Sequence, residues 1–94
     1  MRIVVAPKAR EDLRQAFEYI KQDNPEAERR ALGRLLEVIG MLASGAVEGR
    51  EVALRDGRRV HAWPVPPYRI YYRKGAKEFH VVRVYHQARR PIER

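Results

Sequence analysis

The chain has no cysteine, one tryptophan and two methionines in 94 residues, and twelve acidic residues against twenty lysines and arginines. Each shortage excludes something. Without cysteine there is no disulfide and no thiolate metal site, and His61, His80 and His86 show none of the spacings of a zinc site. No metal and no cofactor are expected, and a reducing cytoplasm is the natural setting. No apolar run approaches the ~20 residues that cross a bilayer. Ile3-Val4-Val5-Ala6, halted by Pro7, is too short for a signal peptide, so no membrane association is expected. A chain of this length has room for one hydrophobic core, so residues 1–94 should form a single domain.

What the chain has in excess is positive charge. A formal net charge of +8 attracts anions, although charge alone does not separate RNA, DNA and an acidic protein.

Hydrophobic periodicity divides the chain. Residues 3–6 read as a short apolar strand, and Pro7 then opens a helix with Ala9, Leu13, Ala16, Phe17 and Ile20 on one face. Glu11 and Asp12 sit early in it and Lys21 late, as the helix dipole favours. A sharp turn at Asp23-Asn24 follows, with Asn24 the N-cap and Pro25 the first residue of a second helix that ends at Gly45. In that helix Ala31, Leu32, Leu35, Leu36, Val38, Ile39, Leu42 and Ala43 form a stripe broad enough for two partners, either the first helix and a sheet or, for part of the stripe, another chain. The chain is expected to be irregular from Gly45 to Gly57, and three strands follow at 58–65, 68–74 and 78–86. The connections Pro66-Pro67 and 74–77 are short, so consecutive antiparallel hairpins are predicted. The result is an α+β fold of order β-α-α-β-β-β, a helical hairpin packed on a mainly antiparallel four-stranded sheet.

Strict alternation places Val60, Ala62, Ile70, Tyr72, Val82 and Val84 toward the helices. The other face then carries Arg59, His61, Trp63, Arg69, Tyr71, Arg73, Arg83 and Tyr85, followed by His86, Arg89 and Arg90. Arginine forks interleaved with flat rings suit phosphate or carboxylate together with base stacking. Such side chains also serve as ordinary packing and solvated surface, and a β-bulge at Pro64 or near Gly75 would scramble the face. His86, ending the last strand among arginines, is either a neutral general base or a structural hydrogen-bonding group. Glu51 and Asp56 are loose candidates for its carboxylate partner.

The order and spacing of these segments, above all Pro67-Tyr-Arg-Ile-Tyr-Tyr72 and Val82-Arg-Val-Tyr-His-Gln-Ala-Arg89, resemble the RelE/ParE superfamily over nearly the whole chain. These are the toxins of type II toxin-antitoxin modules. The resemblance implies a toxin neutralised by a cognate acidic antitoxin. It is greatest to the ParE branch, associated with poisoning of DNA gyrase and without nuclease chemistry.

The RelE branch cuts mRNA on the ribosome, using the 2′-hydroxyl as nucleophile. If the chain followed it, the resemblance would assign Arg69, Arg83 and His86 to catalysis. Several nucleases of that branch end in tyrosine, whereas Gln87 follows His86 here, which favours the ParE-like reading. On the resemblance the target-binding surface is Arg59, Trp63, Arg69, Tyr71, Arg73, Arg83, Tyr85, His86, Arg89 and Arg90. Leu13, Phe17, Leu35 and Leu42 are antitoxin contacts. A third reading is a non-catalytic RNA-binding module built on Trp63, Tyr71 and Tyr85.

Overall fold

The computed structural model describes residues 1–20 and 24–94, with the side chains of Tyr19 and Ile20 left aside. The expected inward side chain of Ile20, Lys21 at the helix end and the Asp23 side of the turn lie outside the described residues. The elements are β1 (Arg2–Val5), α1 (Pro7–Ile20), α2 (Pro25–Ser44), β2 (Arg50–Ala53), β3 (Arg59–Val65), β4 (Tyr68–Lys74) and β5 (Glu78–His86).

Local chemistry explains the helix boundaries. Pro7 has no N–H to leave orphaned, so it ends β1 and starts α1, and Arg10 N–H donates to the Ala6 carbonyl at 2.9 Å. The Asn24 side chain accepts from Ala27 N–H, Pro25 follows it, and Glu26 and Glu28 lie in the positive first turn of α2. Gly45 stops that helix at φ 84°, a left-handed conformation costly for a side chain, while its N–H and that of Ala46 satisfy the Leu42 and Met41 carbonyls.

The sheet order is β1-β5-β4-β3-β2. β1 runs parallel to β5 at one edge, and the other pairs are antiparallel. The fold is α+β as expected, but the sheet has five strands rather than four. The additional strand, β2, lies inside the stretch read as irregular. Its four residues, two of them charged, are too short and polar to show a period, and pairing with β3 rather than local propensity makes them a strand.

The face assignment needs correction on two strands. Pro66-Pro67 is a two-residue connection, which pairs Val65 with Tyr68 and therefore Trp63 with Ile70 and His61 with Tyr72. Residues directly opposite share a face, so Trp63 and Val65 pack with Ile70 and Tyr72 under the helices, and Val60 and Ala62 turn away. On β5 the bulge lies at neither Pro64 nor Gly75. Tyr71 pairs with Arg83 and Tyr72 with Val81, so Val82 is the extra residue and joins the far face, while Phe79, Val81 and Val84 face the helices.

Both faces are therefore apolar. The larger core holds Ala9, Ala16, Leu32, Leu35, Ile39 and Leu42 from the helices against Ile70, Tyr72, Phe79, Val81 and Val84. The Phe79 ring stacks on Tyr72 with centroids 4.8 Å apart. Each large buried side chain contributes roughly 1.5–3 kcal/mol relative to exposure. The second cluster, on the side away from the helices, holds Val52, Leu54, Val60, Ala62, Tyr71 and Val82, with Ile92 of the tail packed on it.

Candidate functional site

The C-terminal end of β5 and the tail that follows it bring most of the sequence's candidate residues together. β1 pairs with β5 only as far as Val81, so beyond that point the β5 edge is open. There α1 supplies what β1 no longer can. Asp12 lies on the buried side of α1 between Ala9 and Ala16, its side chain 4% exposed, and accepts the Val84 N–H at 3.0 Å. The same carboxylate takes two bonds from the Arg83 guanidinium, at 2.8 and 2.9 Å. This pair holds the Arg83 guanidinium above its ordinary pKa. Arg89 approaches Asp12 at 3.8 Å and the Gln15 side chain at 3.3 Å. Arg83 and Arg89 also lie over the Tyr85 ring, 5.0 and 5.2 Å from its centroid.

A second carboxylate organises the neighbouring part of the face. Glu93 accepts from Arg69 at 2.7 Å and from the Tyr71 hydroxyl at 2.6 Å, and Arg50 stands 3.6 Å away. Burial pushes the Tyr71 hydroxyl well above the usual tyrosine range and the Glu93 charge reinforces it, so Tyr71 remains a donor at physiological pH. Burial opposes ionisation of Glu93, but its bonds to Tyr71 and Arg69 outweigh that and its pKa is lowered. With Arg69, Tyr85, Gln87, Arg89 and Pro91 these residues line an open cleft of ≈ 270 Å³.

The lowered Glu93 pKa carries a pH dependence of definite sign. Above the unfolded glutamate value, about 4.3, both states are ionised and the Glu93 contribution is fully present. As pH falls through that value and on through the lower folded one, the unfolded chain takes up the proton first and the contribution disappears. Urea unfolding between pH 5 and 3 should therefore show a steeper loss of midpoint for the native chain than for Glu93→Gln. Parallel curves would mean that the carboxylate adds nothing.

His86 is held by its own turn. Its Nδ1 accepts the Ala88 N–H at 3.1 Å, and its ring stands edge-on to Tyr68 at 5.2 Å. A neutral ring so bonded carries its proton on Nε2 and is a donor there. Neither Glu51 nor Asp56 is its partner: Glu51 binds Arg59 at 2.7 Å, and Asp56 binds Arg58 at 2.8 Å.

The expected target surface thus separates. Arg69, Tyr71, Arg83, Tyr85 and Arg89 converge, with His86 at the strand's end. Trp63 does not belong with them, being half-buried on the helix side, and His61 stacks on Tyr72 on that side. Tyr71 is 3% exposed and packs as core rather than standing open for a base. Arg59 is engaged at the β2 end. Among the described residues, Arg59, Arg69, Arg83 and Arg89 each stand against a carboxylate, and Arg73 and Arg90 are the arginines of the set that do not.

The antitoxin-contact expectation also divides. Leu35 and Leu42 are fully buried and serve the core, Leu13 is half-buried, and Phe17, expected inward, is 53% exposed. Leu36 at 54% is exposed as well, so this part of the second-helix stripe meets neither the first helix nor the sheet.

Asp12 and Glu93 were missed by reasoning from the sequence. Asp12 had a signal, a carboxylate in phase with Ala9 and Ala16 on an apolar helix face. Glu93 had none, since its partners lie more than twenty residues away in the chain. Among the described residues no group of three histidines, cysteines or carboxylates could hold a metal, and no described helix is long and apolar enough to cross a membrane.

Comparison with known proteins sets this geometry in context. The family model described as the ParE toxin of the type II toxin-antitoxin system parDE matches residues 3–91. A solved structure, the chromosomal ParDE TA system from P. aeruginosa, is similar in fold, with a TM-score of 0.69 and 21% identity over 92% of this chain and 95% of that one. No curated protein matches in sequence.

Proposed function

Because the chain belongs to the ParE toxin family of type II toxin-antitoxin systems, we propose that it acts as a toxin that inhibits DNA gyrase and is neutralised by a cognate acidic antitoxin. The observation that carries the choice of target is the state of His86. A nuclease of this scaffold needs a group to take the 2′-hydroxyl proton and free cations for the crowded phosphate. Here His86 Nδ1 is occupied by the Ala88 amide, and Nε2 is left as a donor. Arg69 is paired with Glu93, and Arg83 with Asp12. To act as base His86 would have to give up its bond to Ala88 and shift its proton, and the Arg69 and Arg83 charges are already partly neutralised by carboxylates, whereas a protein that binds its target without bond cleavage needs no such base.

Neutralisation is supported by charge and by shape. A net +8 draws an acidic segment in quickly, and Phe17 and Leu36 offer exposed apolar anchors on the two helices. The purified protein is expected to block DNA supercoiling by gyrase, and equimolar antitoxin should restore it. Unimpaired supercoiling, together with loss of mRNA in a translating extract, would instead establish a ribosome-dependent nuclease.

A further inference from the structure

The last three residues fill a site. Ile92–Arg94 lies antiparallel to residues 53–55, with Arg55 N–H donating to the Ile92 carbonyl at 2.7 Å and Arg94 N–H to the Ala53 carbonyl at 2.9 Å. The Ile92 side chain packs on the second apolar cluster, and the Glu93 carboxylate takes the Arg69 and Tyr71 donors. Backbone pairing, an apolar anchor and a carboxylate held by a guanidinium and a hydroxyl are together what a protein uses to recognise an extended acidic peptide.

We propose that this is a peptide-binding site for a partner segment in which an apolar residue precedes a carboxylate, and that the chain's own Ile92-Glu93 is a resident occupant which that segment displaces. The partner's carboxylate takes the Arg69 and Tyr71 donors, and its backbone takes the pairing with residues 53–55. Displacement is feasible because Ile92 and Glu93 are only half-buried and two backbone bonds tie the segment to residues 53–55, so it opens locally without disturbing the sheet. A nearby part of the same chain competes at an effective concentration on the order of millimolar. Partners must therefore bind well below that level to succeed, and weak acidic peptides are refused. The inference does not depend on gyrase being the target.

The test uses the full chain and the synthetic peptide acetyl-Pro-Ile-Glu-Arg-amide as probe, followed by amide NMR. Glu93→Gln is expected to bind this peptide about tenfold more tightly than the native chain, because the resident competitor is weakened. The matched peptide with Gln in place of Glu should bind the variant about tenfold more weakly, having lost the charged acceptor. Without peptide, Glu93→Gln should exchange its Arg55 and Arg94 amides faster while Ile70 and Val84 remain protected, which separates tail release from unfolding. Equal affinity of native chain and variant, equal affinity for the two peptides, or no binding to the variant would each overturn the proposal. So would faster exchange spread evenly over the sheet.

Discussion

Asp12→Ala is expected to lower the free energy of unfolding by about 3 kcal/mol, a large share of what a domain of this size possesses. The substitution removes three bonds at once. Val84 N–H, on the open edge of β5, loses its acceptor beneath α1, and a buried amide without a partner costs about 1–3 kcal/mol. Arg83, whose side chain is 17% exposed, loses its paired carboxylate, and Arg89 loses the nearby Asp12 charge while keeping its closer contact with Gln15. Because Arg83 keeps some access to water, its share is below the full penalty for an unpaired buried charge.

Asp12→Asn should cost less, since its amide oxygen still accepts from Val84 while the attraction to both arginines is lost. With a urea slope of about 1–3 kcal/mol/M, the alanine midpoint should fall by about 1 M or more, and a change below about 0.3 M would mean that water replaces the carboxylate. The same variant should release the Arg83 and Arg89 guanidiniums from α1, so the substitution tests the site's architecture as well as its stability.

Gly49→Ala should destabilise by about 2–3 kcal/mol, through overlap rather than backbone conformation. A Cβ at this position would stand 2.4 Å from the Ala62 carbonyl oxygen and 2.9 Å from its carbon, with the Tyr72 hydroxyl at 3.2 Å. The neighbour is backbone of β3 and has no rotamer into which to retreat, so the start of β2 must move away. That movement also strains the 2.7 Å bond from Gly49 N–H to the Tyr72 hydroxyl, worth about 1 kcal/mol. Gly33 provides the contrast. It is exposed within α2 and a Cβ there meets nothing within 4 Å, so Gly33→Ala should stabilise by about 0.5–1 kcal/mol. Chemical denaturation of the two variants side by side should give shifts of opposite sign, and a loss for both would contradict the steric account.

Much of the fold was legible because its signals are local. Pro7, Asn24-Pro25 and Gly45 act on the residues beside them, and the bounds of β4 and β5 follow from apolar alternation between turn residues. The face of β3 was legible too, through the parity of a two-residue hairpin that pairs Val65 with Tyr68, but alternation applied strand by strand overlooks it. Val82 was not legible. Nothing in Val81-Val82 says which valine is the extra one, and only the simultaneous pairing of β5 with β4 and β1 decides it.

The candidate site divides along the same line. Its composition, arginines and tyrosines from Arg69 to Arg90 in a chain of net charge +8, was determined by the sequence. So was the succession of elements that places them at the end of a sheet. Which of those charges remain available was decided only by tertiary structure, because neutralisation depends on carboxylates brought from elsewhere. Asp12 comes from the first helix to the open edge of the last strand, and Glu93 folds back across the sheet. Charge pairs act over a few ångströms of space, whatever the separation along the chain. The sequence therefore determined how much positive charge the protein carries, and the fold decided where it is spent on the protein itself.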